Sequence, residues 1–351
     1  MGSAWRLHLS PLQALIYFTC VNSLIYLDRG VISVPTTQAT LTALAEAMDL
    51  SASKAGALGS VFILGFMVSS PVFAYWAQTC APEKLMACGL VIWSVATCTA
   101  GLSLNYWMLL LARAATGVGE ASFVCLAPPL ILDSAPAAKK TVWPKQLWVS
   151  VFYSAMTMGY ALGFIYGHET MALIGTWRSP FLIEAGAMFP LILIAFLLKV
   201  EGNPPSNDTN RVSLLSQVTA LGNIPVYLLA VGGSAAYAFT VGGLGFWGNS
   251  IVQQAYGVSP RTAVISLGSL TVFCGVAATV LGSLYMDRLL APVEALGLSE
   301  GLTRAARTEI ACRLSFYSIT SGAIVGTLSA CFRRYSAFLS ALGLSEFLLF
   351  L

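Results

Sequence analysis

Charge is scarce in this chain. Only 9% of its residues are Asp, Glu, Lys or Arg, against 57% hydrophobic, whereas an average soluble domain carries about 25% charged residues. So little polar surface excludes an ordinary soluble globule. The formal net charge of +3 is too small and too dispersed for the basic face of a nucleic-acid binder. Histidine is nearly missing: His8 and His168 stand alone, so a zinc site has no ligand set. The cysteines (Cys20, Cys80, Cys88, Cys98, Cys125, Cys274, Cys312 and Cys331) include no C-x-x-C pair and read as small apolar packing residues rather than disulfides or metal ligands. There is no G-x-x-x-x-G-K-[ST] loop, which argues against ATP-driven pumping. The apolar segments offer no Ser/His or His/Asp pairing, so neither an enzyme nor a bound cofactor is expected. A cleavable signal peptide is missing too. The first apolar run is too long, is broken by Asp28 and Arg29, and lacks an A-x-A site.

Long apolar runs fill the space that charge leaves. A helix needs about 20 mostly apolar residues to cross a bilayer. Candidates lie near 11–36, 54–77, 84–103, 105–132, 145–167, 180–199, 223–250, 261–287, 313–331 and 336–351. The chain therefore reads as an all-α polytopic membrane protein with nine full spans and a tenth cut short. Gly159, Gly163 and Gly167 recur every fourth residue in the fifth span. They form a stripe that serves close packing or a moving helix contact.

Loop charge orients the spans. With the N-terminus inside, the inner side collects Arg6, Lys84, Lys139, Lys140, Lys145, Lys199, Arg211, Arg288, Arg304, Arg307 and Arg313. The outer side keeps Lys54, Arg178, Arg261, Arg333 and Arg334. The excess favours N-inside. The sequon Asn207-Asp208-Thr209 then lies on the inner side and should carry no sugar. It falls in the clearest break of the chain, where Pro204, Pro205 and an Asn/Ser cluster stop the sixth helix. The expected organisation is an N-terminal six-helix bundle over 1–200, an inner linker over 201–222 and a C-terminal bundle over 223–351. A helical, amphipathic insertion at 289–312 is expected to lie along the inner interface. A weak repeat supports two halves: Leu58-Gly59-Ser60 recurs as Leu267-Gly268-Ser269. Gln78-Thr79 and Asp287-Arg288 share the same offset of 209, each at the inner end of a span.

The few charges inside spans carry the functional signal. Arg113 and Glu120 interrupt the apolar run of the fourth span. Each costs roughly 2.5–3.5 kcal/mol at a bilayer centre on insertion scales. Seven residues are close to two helical turns, so both fall on one face. That face cannot meet lipid and is expected to border a polar interior. Asp28, beside Arg29, is either an acid that takes up and releases a proton as its surroundings change, or a fixed ion pair with Arg29 or Arg113. Arg113 offers its fork to an anionic head group, to Asp28 or to Glu120. Glu120 is a second candidate for taking up a proton, or else it helps to orient Arg113. Glu184 in the sixth span is a third acid, functional or merely near the outer interface. Phe246, Trp247 and Asn249 of the seventh span face either the cavity or lipid. Trp177-Arg178 with Phe181 is expected to anchor a loop at the membrane interface.

Several stretches together resemble the major facilitator superfamily and, within it, Spinster-type transporters. They are Tyr26-Leu27-Asp28-Arg29, GSVFILGFMVSSPVFAYWA, LLLARAATGVGEAS, FYSAMTMGYALGF, GLGFWG and GLSEFLLFL. The resemblance implies a two-bundle carrier of twelve spans, of which this chain holds about ten, with its C-terminal bundle truncated. It also implies secondary transport by alternating access. The cargo would be lipid-like solutes of sphingoid or lysophospholipid type, coupled to a proton, with sodium as the alternative ion. The setting would be a lysosomal, endosomal or other endomembrane, with the plasma membrane as the alternative. Asp28, Arg29, Arg113, Glu120, Glu184, Trp247 and Asn249 would then bind substrate or proton. The family pattern places an acidic gating latch in the loop after the second span. Gln78 stands there, whereas Asp287-Arg288 keeps the latch in the second half. Two rival readings stand beside this one: a carrier of small polar metabolites or organic anions, and an inactive relative acting as a membrane scaffold or sensor.

Overall fold

The computed structural model describes residues 9–32, 44, 48–134, 145–198, 213–296 and 300–350. The expected site of Asn207 and most of the inner linker lie outside the described residues. The described part holds eleven helices: α1 (Pro11–Val31), α2 (Ala52–Trp76), α3 (Pro82–Gly101), α4 (Tyr106–Ser134), α5 (Lys145–Ile174), α6 (Ser179–Leu197), α7 (Leu214–Gly222), α8 (Pro225–Tyr256), α9 (Pro260–Ala295), α10 (Glu300–Ser329) and α11 (Tyr335–Phe350). Except for the short α7, each falls on an expected span. Seven (α2–α6, α8 and α9) are long and apolar enough to cross a membrane on length and composition. Asp28 and Arg29 dilute α1, charged first turns dilute α10, and α11 has only 16 residues.

Local chemistry sets the helix starts. Ser10 and Gln13 form a reciprocal capping box ahead of α1, and Ser51 caps α2. Proline occupies the first turn of α1, α3, α6 and α8, where its missing N–H costs nothing. Gly257, at φ +63°, closes α8 in the left-handed conformation that glycine adopts without strain.

In the N-terminal half α1 packs along α5, while α4 stands between α2 and α3, and α3 also meets α6. The α1–α5 contact depends on the glycine stripe. A Cβ on Gly163 would overlap the Leu27 carbonyl and the Gly30 backbone, and one on Gly159 would crowd the Ser23 carbonyl. Packing explains these two glycines. In the C-terminal half α11 stands between α9 and α10, as α4 does between α2 and α3. Among the described residues no helix takes beside α8 the place that α5 takes beside α1. Much of α8 is accordingly exposed, Phe239 at 85%. Large apolar side chains such as Met67, Leu111, Phe189 and Phe273 also point outward, a surface that suits lipid and not water.

Three expectations need correction. Residues 289–312 form no separate interfacial helix: α9 runs on to Ala295 and α10 starts at Glu300. At about 1.5 Å per residue α9 is roughly 54 Å long, well beyond the ~30 Å apolar core, so both helices extend past the membrane. Among the cysteines only Cys274 is buried, and Cys20, Cys80, Cys88, Cys312 and Cys331 are exposed. A lipid-facing thiol has no need of burial, so hydropathy could not separate the two cases. Trp177 and Phe181 are 5% and 1% exposed, inside the bundle rather than at an open interface. Arg178 covers the Trp177 ring at 4.8 Å and donates to the Gly101 carbonyl at 3.1 Å, tying α6 to the end of α3.

Candidate functional site

The site is built around α4, whose three faces do different work. Gly117 meets the Phe62 carbonyl of α2, and Gly119 meets the backbone of Gly89 and Trp93 of α3. Arg113 and Glu120 turn to α1. Both closely packed neighbours need glycine, because a side chain at either position would meet backbone atoms. The run R-A-A-T-G-V-G-E therefore encodes two helix contacts and one charged face.

Arg113 Nη1 donates to both Asp28 oxygens at 2.8 Å, with both side chains 0% exposed. Arg29 Nη2 donates to Glu120 Oε1 at 2.5 Å. Adjacent residues of α1 thus pair with residues seven apart on α4, because the long Arg29 side chain reaches along the axis. Glu120 is fully buried, whereas Arg29 keeps 19% of its side chain exposed. Its guanidinium lies 4.5 Å from the Tyr26 ring centroid, 4.9 Å from Phe62 and 5.5 Å from Phe66. Such cation–π contacts hold a charge where water is scarce. The charged face is real, but in this conformation it is closed over by α1, with Arg29 as its partly accessible member.

Glu184 of α6 is 1% exposed and faces Asp28, in the field of Arg113. Among the described residues, no N–H or hydroxyl donates to either of its oxygens. Arg113 Nε and Nη2, Arg29 Nε, Glu120 Oε2 and both amide atoms of Asn249 are likewise unmatched there. Those on α1, α4 and α6 belong to the charged cluster, where unmatched buried polar atoms mark a place for a proton, water or a polar group. Asn249, at 1% exposure, lies in the second half, and Gln253 Nε2 bonds its carbonyl at 3.0 Å. Trp247 stacks edge-on with Phe246 and approaches Gly56 of α2.

The proposed gating residues lie elsewhere. Gln78 sits in the turn after α2, about 24 Å along that helix from Phe62. Asp287 and Arg288 are inside α9, and α9 continues for two further turns.

Sequence reasoning passed over three features. The ring of Tyr26, Phe62 and Phe66 draws on two helices and has no linear signature. Glu346 of α11 accepts from Thr271 at 3.2 Å, with its other oxygen buried and unpartnered. A lone acid in a 16-residue apolar helix was the available signal. Glu169 of α5 meets Arg261 of α9 at 2.8 and 3.3 Å, joining the two halves. The halves also meet where Gly268 packs on Ala161 and Ile165, Gly275 on Thr157, Gly245 on Tyr160, and Gly59 on Phe246. Gly59 and Gly268 are the repeat-related glycines, and each touches the opposite half.

A model of the Major Facilitator Superfamily matches residues 18–350. The chain is 30% identical to the "Probable sphingolipid transporter spinster homolog 2" of Arabidopsis thaliana over 97% of its own length and 72% of that protein's. It is also 30% identical to "Protein spinster homolog 1" of Rattus norvegicus over 67% of this chain and 44% of that one. The fold resembles the crystal structure of a bacterial homolog of the human lysosomal transporter Spinster in an inward-facing, unoccupied conformation, with TM-score 0.65 at 17% identity, covering 100% of this chain and 74% of that one. The nucleoside transporter NupG gives 0.63 at 12% identity, covering 96% and 79%. With two helical bundles joined through α5 and α9, and with paired charges buried between α1 and α4, the chain belongs to the Major Facilitator Superfamily and, within it, to its Spinster-like members.

Proposed function

We propose that this protein carries lipid-like solutes of sphingoid or lysophospholipid type across an endomembrane by alternating access, driven by a proton gradient. The observation that carries the reading is Arg29. It is a guanidinium paired on one side with Glu120, caged by Tyr26, Phe62 and Phe66, and still 19% exposed. An anionic head group gains a charge-assisted contact there, while the adjoining rings suit an apolar chain. The sphingolipid class is that of relatives such as the spinster homolog 2 of Arabidopsis thaliana, and the buried acids supply groups for protons. The six-helix N-terminal bundle and the C-terminal bundle would rock about the contact that α5 and α9 make.

The test is flux of radiolabelled lysophospholipid through the full chain in liposomes. Arg29→Gln should lower flux at least tenfold, and Arg29→Lys should retain part of it, since the charge stays while the planar fork is lost. Equal flux in all three would remove the lipid-binding role. Competition by soluble organic anions but not by lipids would instead support the small-anion reading.

The Glu169–Arg261 pair belongs to one arrangement of the halves. With the N-terminus inside, it holds the outer ends together. Both partners are substantially exposed, 33% and 67%, so its contribution is of the order of 0.2–1 kcal/mol. Arg261→Ala is therefore expected to raise outer-side cysteine labelling by no more than about fivefold. Labelling that stays at the wild-type level would show that the pair does not report the switch.

A further inference from the structure

Five ionisable side chains meet at the α1–α4–α6 junction, and their charges do not balance if all are ionised. Asp28, Glu120 and Glu184 are acids, while Arg29 and Arg113 are the bases. Two acids have a base each, at 2.8 Å and 2.5 Å. Glu184 has none: it is 1% exposed and both its oxygens are without a donor. An isolated carboxylate in such a place carries a desolvation cost of several kcal/mol. A carboxylic acid does not, and its O–H can donate to a neighbouring carboxylate. Asp28 is that neighbour. Arg113 meanwhile reaches Asp28 through Nη1 alone, leaving Nε–H and Nη2–H unused and buried.

We propose that Glu184 holds the carried proton, as a neutral acid directed at Asp28, and that Arg113 takes Glu184 as a second partner through its unused N–H groups once the proton leaves. This deepens the proton-coupled reading above and rests on it for the meaning of the proton, not for its place. In the step the Glu184 O–H bond breaks and the proton passes to water admitted when the halves part. The new carboxylate is met by the Arg113 guanidinium, so no carboxylate is left without a hydrogen-bonding base. The cluster is neutral before the step. Afterwards it carries one negative charge, spread around a single arginine, and this difference couples proton loss to a shift of α6 against α1 and α4. The groups facing Glu184 are Asp28 of α1, Arg113 of α4 and Tyr166 of α5, whose hydroxyl donates to the Pro180 carbonyl at 3.1 Å. Helix α3 packs along α6 through Ser94, which donates to the Ala185 carbonyl at 3.1 Å. Arg29 and Glu120 lie beyond, paired with each other.

The experiment is infrared difference spectroscopy in lipid nanodiscs between neutral and alkaline pH, read at the C=O stretch of protonated carboxyl groups, with the full chain and every variant carrying Glu346→Gln so that the buried acid of α11 adds no band of its own. This background, otherwise wild type, should show a band at neutral pH. Glu184→Gln should abolish it, Glu120→Gln should leave it in place, and Asp28→Asn should displace it by changing the acceptor. A band of wild-type intensity in Glu184→Gln, or no band in wild type, overturns the assignment. Should Glu184→Gln fail to fold, Glu184→Asp serves instead, and an unshifted band there overturns the proposal equally. In liposomes, stimulation of flux by a pH gradient should fall to unity in Glu184→Gln, and stimulation that survives overturns the coupling role. Because the band needs no flux, a chain that shows it but moves no lipid would fail the lipid reading alone, leaving the proton on Glu184.

Discussion

Replacing Arg113 by alanine is expected to destabilise the folded protein by about 3–5 kcal/mol. The reason is what stays behind. Asp28 takes its two hydrogen bonds from Arg113 Nη1 and is 0% exposed, so the substitution strands a carboxylate in an apolar bundle. Asp28 would then fold only as the neutral acid or with water drawn in. The double variant Asp28→Asn/Arg113→Gln leaves no lone charge and should lose much less. Arg113→Lys should fall between, keeping the charge but forfeiting the fork. Thermal unfolding in detergent measures the series. An Arg113→Ala protein as stable as wild type would mean that the pair contributes nothing and that Asp28 has another partner.

The second large effect is steric. Gly163→Leu is expected to separate α1 from α5 and remove most folded protein, because the atoms it meets are the Leu27 carbonyl and the Gly30 backbone. Overpacking usually costs about 1–3 kcal/mol and more where nothing can yield; backbone cannot rotate aside. Gly186→Leu is the control. No atom lies within 4 Å of a Cβ there, so a change of less than about 0.5 kcal/mol is expected. Gly275 tests the logic differently: its obstacle is the Thr157 side chain, Cβ included, so Gly275→Ala should be relieved by Thr157→Gly whereas Gly163→Leu has no such rescue. Folded yield by size-exclusion chromatography separates these outcomes, and equal yields for Gly163→Leu and Gly186→Leu would discard the close-contact account.

How far the residue order reached can be judged on α4. Hydropathy located that span to within two residues, and the seven-residue spacing placed Arg113 and Glu120 on one face. It could not say which bases meet which acids. Glu120 was a plausible partner for Arg113 on its own helix, yet it pairs with Arg29, because α1 and α4 pack closely enough to offer each acid a guanidinium from the other helix. Trp177-Arg178 teaches the same from the opposite side. The motif marks a helix corner in any reading, but the indole is buried beneath Arg178, which is held by a carbonyl 77 residues away at the end of α3.

Composition alone determined that this chain lives in a bilayer. Some twenty apolar residues in a row leave the backbone no partner but itself, so helix type and approximate boundaries follow from local physics. The intramembrane charges, too, declare themselves without a structure, since their cost in hydrocarbon is independent of the fold. Which of them pair, which is closed over and which is left without a base is a question of distances between helices far apart in the chain. Only the packing of α1 against α4 and α6 decided that Arg29 keeps a partly exposed edge and that Glu184 has no base of its own.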